Sequence, residues 1–317
     1  MEDQSKPNRP KLVIITGPTA VGKSGLAHRL AQKVGGEIIN ADSMQVYRLM
    51  DIGTAKPSLK ERKEVPYHLI DIVDPDQPFD ASAFRIQAGA VIEDLHSRQV
   101  PILVVGGTGL YLRVLQRGIF SCPTPDIEIR EQWKREASLQ GPEFLWSRLK
   151  EKDPLAADRI HPRDTLRLIR ALEVLKLTGR PISQCHQWDQ GGVSEYDILW
   201  IGLALDREIL YQRINKRADQ MIADGFLAEV EGLLQRGYSP ELKPLKSLGY
   251  RHLVGVLKGR WDLFEALNLL KRDTRHYAKR QLTWLGREGN LNWYSSKEFD
   301  KIHSKIIEFL KLCRSPI

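Results

Sequence analysis

The first apolar run, LVIIT within residues 11–16, is bounded by polar residues and is too short for a helix, so it predicts a buried strand. A glycine-containing turn follows. Apolar positions then return at helical spacing over residues 23–34, giving a strand, loop and helix in succession. Further short apolar runs at 37–40, 68–73, 102–105 and 198–205 predict strands, and 291–294 predicts a last one. Helix-period sequence lies between them, including 82–98, and this alternation predicts an α/β fold on a parallel sheet flanked by helices.

From about residue 119 to 196 the pattern changes to charged, helix-period sequence broken by Pro123, Pro125, Pro142, Pro154, Pro162 and Pro181. This predicts a helical insertion, with residues 1–118 and 197–317 forming the core. Helices are expected over about 207–236, interrupted near Gly225, and over 261–285. Neither repeats nor heptads interrupt this scheme.

Composition narrows the class. The three cysteines, Cys122, Cys185 and Cys313, have no Cys-x-x-Cys or metal-ligand spacing, which fits a reducing compartment and a cytoplasmic protein. The polar start MEDQSKPNRPK lacks a secretory pattern, and no apolar run approaches the ~18 residues of a membrane helix, so no membrane association is expected. The formal charge is +8, and residues 243–287 hold 11 Lys/Arg against 3 Asp/Glu, so this segment carries the whole excess. Such a concentration suits a polyanionic partner, although a solvated helix face would look the same.

The most specific local pattern is GPTAVGKS: Gly17, Pro18, Thr19, Ala20, Val21, Gly22, Lys23 and Ser24. It matches a P-loop and stands between a predicted strand and helix, as phosphate binding by backbone N–H groups and a helix N-terminus requires. Lys23 would neutralise a terminal phosphate and Ser24 would ligate Mg²⁺. A standard P-loop ATPase also needs a strand ending in Asp as a second metal anchor, but the 102–105 run ends in Gly106-Gly107-Thr108. The guanine-reading Asn-Lys-x-Asp pattern fails too, because Ala218 follows Asn215-Lys216-Arg217.

Other candidates have two readings each. Asp42, just after the second strand, sits at the carboxyl edge beside the P-loop and could take a proton or hold Mg²⁺ through water; it could equally cap the turn at Ser43. Gly106 to Gly109 is a second glycine-rich strand end, either a tight connection or a site using the Thr108 hydroxyl. Arg213 and Arg217 share a helix face and could meet one anion, or form a surface pair. In KRQLTW, Lys279 and Arg280 alternate with Trp284, a mixture that grips phosphates while stacking on unpaired bases, or a wet face over a packed indole.

In order along the chain stand GPTAVGKS at Gly17, ADSMQVY at Ala41, DIGTAKP at Asp51, HLID at His68, GGTGLY at Gly106, RIHPRDTLRLIRALEV at Arg159, LGYR at Leu248 and KRQLTWLG at Lys279. This ordered set resembles the tRNA dimethylallyltransferase family in its bacterial form and spans almost the whole chain. The resemblance implies a P-loop kinase-like core with a helical insertion that contacts tRNA. It implies transfer of a dimethylallyl group from dimethylallyl pyrophosphate to N6 of adenosine 37, 3′ of the anticodon, with release of pyrophosphate. The partners implied are a tRNA anticodon stem-loop and dimethylallyl pyrophosphate, the cofactor Mg²⁺, and the protein a monomer.

Carried over residue by residue, the resemblance makes Asp42 the acceptor of the N6 proton, places Thr19 near the reacting centre, and matches Arg217 to a pyrophosphate-binding arginine. Ser43, Met44, Gln45, Thr108 and Arg130 match tRNA contacts, as do Arg167, Arg170, Arg251 and the stretch containing Lys279, Arg280, Gln281 and Trp284. Ser24 stands where the family often has Thr, and Gly109 where some members carry a larger residue. Two other classes remain open: a P-loop kinase of a nucleoside or small metabolite, which leaves the basic segment unused, and an RNA-binding ATP switch, which leaves Asp42 without a role.

Overall fold

The computed structural model describes residues 9–118, 123, 126–185 and 194–311; Pro125, Cys122 and Cys313 lie outside them, as does the side chain of Cys185. The described chain divides into two compact units, Met1–Gln116 with Ser194–Ile317, and Arg117–Val193.

In the first unit the chain runs β1 (Lys11–Thr16), α1 (Lys23–Val34), β2 (Glu37–Asn40), α2 (Leu59–Glu64), β3 (Tyr67–His68), α3 (Ala81–Ser97), β4 (Ile102–Val105) and α4 (Gly109–Arg117). The second unit holds α5 (Ile127–Gln140), α6 (Pro142–Lys152), α7 (Pro154–Arg159), α8 (Thr165–Thr178) and α9 (Ile182–Cys185). The first then resumes with β5 (Asp197–Leu203), α10 (Arg207–Ala223), α11 (Phe226–Gln235), α12 (Tyr250–Leu257), α13 (Leu263–Leu285), β6 (Asn292–Tyr294) and α14 (Phe299–Leu310).

The six strands form one parallel sheet in the order β3-β2-β4-β1-β5-β6. In β1 the five residues after Lys11 are fully buried, the expected state for a strand covered on both faces. Val13 and Ile15 pack with Leu26 and Leu30 of α1, Ile201 and Leu203 of β5, and Ile302 and Ile306 of α14. Because β2, β4 and β1 are neighbours, the loops leaving their carboxyl ends, at Ala41, Gly106 and Gly17, open on the same edge.

The second unit closes around Leu145, Leu149, Leu168 and Leu172. Within it Glu173 is fully buried, and accepts from Arg130 at 2.8 Å, Arg170 at 2.5 Å and the Asp126 N–H at 2.8 Å. A carboxylate without contact to water needs such donors, and Arg130 and Arg170 supply the compensating charge.

The expected strand at 68–73 is corrected. Only Tyr67–His68 pairs with β2, after which Leu69 and Asp71 take positive φ of 61° and 55° and turn the chain away. Side chains hold that turn, with Asn40 Nδ2 donating to Leu69 O and the Asp71 carboxylate meeting Lys56 and Arg62. Val73 survives as a bridge to Tyr47. Helices α2, α4, α12 and α14 have no counterpart among the named helices expected from the sequence, and β5 ends at Leu203 rather than at residue 205.

Candidate active site

The P-loop curls because three of its residues adopt positive φ, Gly17 at 147°, Ala20 at 63° and Gly22 at 104°, the last directly capping α1. Lys23 Nζ donates to Gly17 O at 2.9 Å and Pro18 O at 2.8 Å, lying along the loop it would serve. Burial, and then the charge of Arg217, lower its pKa to about 8, with Asp42 opposing them. Ser24 is exposed at the start of α1, where it lines the cavity over the P-loop.

Arg213 is exposed and Arg217 half-buried, and both are engaged rather than free in solvent. One turn apart on α10, they converge on the P-loop: Arg213 donates to Val21 O at 3.3 Å and Arg217 to Thr19 Oγ1 at 3.4 Å. Burial lowers the Arg217 pKa, again with Asp42 opposing. Lys216 joins them at the cavity wall, a cation the sequence reading passed over.

Asp42 performs the turn-capping role, since its Oδ1 accepts from Met44 N at 2.8 Å, and it also lines the cavity facing this cationic group. The turn is tied to the neighbouring strand end. Ala41 N donates to Val105 O, Thr108 N to Ala41 O, and Ser43 N to Thr108 Oγ1 at 3.0 Å. Thr108 is therefore a brace for the Asp42 turn. Gly106 lies so close to this turn that a Cβ would sit 2.1 Å from Ala41 O, a backbone atom. Gly106→Ala should accordingly cost about 1–3 kcal/mol or more of stability, read as a lowered melting temperature; an unchanged melting temperature would show that the two strand ends can separate.

The cavity has a volume of about 990 Å³. Thr19, Lys23, Ser24, Asp42, Arg217 and Tyr277 line it, together with a loop from Asp51 to Leu59 and with Arg62, Tyr67 and Asp71. That loop carries DIGTAKP, whose place at the cavity is not legible in its spacing. Lys56, its side chain 1% exposed, pairs with Asp51 at 2.7 Å and Asp71 at 2.6 Å, while Arg62 meets Asp71 at 2.5 Å. Glu229 of α11 pins the loop from behind, accepting from the N–H groups of Asp51, Ile52 and Gly53 and from the Tyr250 hydroxyl at 2.6 Å. Gln45 Nε2 donates to Thr54 O and Ala55 O. Nothing in local spacing links Glu229 to Asp51, which are 178 residues apart.

Tyr277 of α13 faces the cavity, and burial followed by the Asp42 charge raises its hydroxyl pKa to about 12. On the same helix Lys279 and Arg280 are exposed, Gln281 is buried and lines the cavity, and Trp284 is half-buried. The Trp284 ring lies on Gly109, 2.6 Å from where a Cβ would begin, with the Arg113 guanidinium 5.5 Å from the indole centroid. Arg251 pairs with Asp273 at 2.5 Å and stays exposed. Ser43 and Met44 are half-buried in the Asp42 turn. In the second unit Arg130 and Arg170 hold Glu173, and Arg167 pairs with Asp164 at 2.5 Å.

Comparison with known proteins decides among the classes left open. The family model described as IPP transferase matches residues 45–288, and that described as isopentenyl transferase matches 10–70. The chain is 52% identical over 300 residues to tRNA dimethylallyltransferase 2 of Geotalea uraniireducens, covering 94% of this chain and 97% of that one. The chain belongs to the tRNA dimethylallyltransferase family.

Among solved structures, the chain is similar to the tRNA isopentenylpyrophosphate transferase of Bacillus halodurans, with a TM-score of 0.72 and 39% identity over 96% of this chain and 97% of that one. A eukaryotic dimethylallyltransferase caught acting on tRNA aligns with a TM-score of 0.79 at 30% identity, over 93% of this chain and 77% of its own. Both family models end before α14, so every residue placed at the cavity lies inside the matched stretch. The α/β core expected from the sequence, a parallel sheet of P-loop type, is the fold these relatives share.

Proposed function

We propose that this chain transfers a dimethylallyl group from dimethylallyl pyrophosphate to N6 of adenosine 37 in tRNA, releasing pyrophosphate. The observation that carries the reading is that one cavity is lined by Lys23 and Arg217 at the P-loop and by the Asp42 carboxylate at the adjoining strand end. As the allylic C–O bond breaks, its electron pair goes to the pyrophosphate oxygen, where Lys23, Arg217 and the loop N–H groups stabilise the new charge. The N6 lone pair forms the C–N bond, and the N6 proton passes to Asp42. Thr19, whose hydroxyl accepts from Arg217, would lie near the reacting carbon.

Mg²⁺ fits these residues. The Ser24 hydroxyl and Asp42 carboxylate are hard oxygen donors lining the same cavity, and among the described residues no group of three His, Cys, Asp or Glu could hold an ion alone. Substrate phosphates would complete the coordination, as is usual for Mg²⁺, and the ion would offset charge on the leaving group. A kinase of small metabolites is not favoured, since the relatives that match over nearly the full length are tRNA-modifying transferases.

Adenosine 37 lies in a folded loop and must be unstacked to enter a cavity, so base flipping belongs to the mechanism. The proposed tRNA contacts are Ser43, Met44 and Gln45 beside the cavity, Arg130, Arg167 and Arg170 on the second unit, and Arg251, Lys279, Arg280 and Trp284 on the C-terminal helices. Among the described residues no helix is long and apolar enough to cross a membrane. We propose that the protein works in the cytoplasm as a monomer. Incubation with labelled dimethylallyl pyrophosphate and unmodified tRNA should place label on the RNA; label on a small metabolite, or none, would overturn the reading.

The exposed pair on α13 has its own test. Removing one cation that neutralises an RNA phosphate should reduce the slope of log affinity against log salt by roughly 0.7–0.9. Replacing Lys279 and Arg280 together by Gln should flatten the tRNA salt dependence by about twice that amount. An unchanged slope would make the pair an ordinary solvated face.

A further inference from the structure

Gln281 directly follows the exposed cations Lys279 and Arg280 on α13, yet it is only 8% exposed. Its Oε1 accepts from Thr19 N at 2.8 Å, and its Nε2 donates to Gly107 O at 3.0 Å. The Thr19 amide can only donate and the Gly107 carbonyl only accept, so chemistry fixes the orientation of the Gln281 amide. The approach is close: a Cβ on residue 107 would stand 2.4 Å from Nε2. One side chain thus joins α13 to the P-loop and to the loop after β4. The Thr19 N–H, which a P-loop would otherwise turn toward phosphate, is already engaged.

We propose that Gln281 is a positioning residue for the transfer reaction, holding Thr19 in place between Arg217 and the Gly107 loop, rather than a tRNA contact like its neighbours Lys279 and Arg280. The inference rests on the reading of the cavity as the dimethylallyl transfer site. It has a specific chemical consequence. In Gln281→Glu, a protonated carboxyl reproduces both bonds, its carbonyl accepting from Thr19 and its O–H donating to Gly107. An ionised carboxylate has only acceptors and must lose the Gly107 bond. Burial and the Asp42 carboxylate raise the pKa of such a carboxyl toward the working range, against the pull of Lys23 and Arg217 on the same cavity, and the Tyr277 hydroxyl also bonds this side chain.

The experiment compares wild type, Gln281→Glu and Gln281→Leu at saturating tRNA between about pH 6 and pH 8.5. The Glu variant should turn over about tenfold more slowly than wild type at the upper end, the effect of one hydrogen bond of ordinary strength, and its rate relative to wild type should recover as pH falls. Gln281→Leu should be slow at every pH. Direct tRNA affinity should stay within about twofold for both variants, because neither changes the exposed cations. Amide hydrogen exchange at Thr19, read without substrates, should accelerate in Gln281→Leu.

A Glu-to-wild-type ratio flat in pH would overturn the proposal, as would weakened tRNA affinity with turnover at saturation unchanged, or Thr19 exchange equal to wild type. If wild type itself transfers no dimethylallyl group, the functional reading fails on its own. The exchange measurement needs no activity and would then decide the brace alone.

Discussion

Asp42→Asn is expected to lower the single-turnover rate of dimethylallyl transfer by about 10²–10⁴-fold, the usual range for removing a general base, while both substrates still bind. The substitution keeps the size of the side chain and an oxygen able to accept from Met44 N, so the turn at Ser43 survives. Proton affinity is what disappears. Single-turnover quench measurements at saturating tRNA and dimethylallyl pyrophosphate, repeated over a range of Mg²⁺, separate the alternatives. A near wild-type rate that demands much more Mg²⁺ would make Asp42 a metal-shell residue, with the proton going to water. No change in rate or metal demand would leave Asp42 with its capping bond alone.

Lys23→Ala should reduce the chemical step by about 10²–10³-fold, the scale of removing one donor from a developing anion, with tRNA affinity near wild type. Loss of tRNA binding with unchanged turnover of bound substrate would contradict it. A pH effect follows from the same residue. With its pKa lowered to about 8 by burial and Arg217, the Lys23 amine is charged below that pH and loses its proton as pH rises through it. A bound anion favours the charged form, so the lysine's contribution to pyrophosphate affinity should be complete below about pH 8 and decline above it. Lys23→Arg stays charged throughout. The ratio of wild-type to Lys23→Arg affinity for inorganic pyrophosphate, measured by calorimetry, cancels the ligand's own titration and should fall above about pH 8; a level ratio would place the amine's titration elsewhere.

These effects depend on a site whose parts were unequally legible in the sequence. GPTAVGKS could be read because a phosphate cradle is local: eight consecutive residues, their glycines and the following helix determine it without help from the rest of the chain. Asp42 was placed at the correct edge by strand logic alone, since the carboxyl ends of neighbouring parallel strands lie together. The strand at 68–73 was misjudged because apolar alternation continues through a turn that side chains from elsewhere impose on Leu69 and Asp71. Gln281 could have been found on its helix: it falls on the buried series of Leu270, Ala278 and Leu285, whereas Lys279 and Arg280 do not. The weight of charge in KRQLTW drew attention outward.

By itself the sequence determined the alternation of strands and helices, the P-loop, the basic C-terminal segment and, through ordered motifs, the family. All of these are set by residues near one another in the chain, or by their order. Tertiary structure alone decided which distant groups share a cavity: Arg217 with Thr19, Gln281 with Gly107, and Glu229 with the loop after Asp51. Pairings across one hundred or more residues have no period and no composition to betray them. They form because burying the apolar faces of α10, α11 and α13 against the sheet and against one another brings polar groups to the same edge, where each must find a partner once water is excluded.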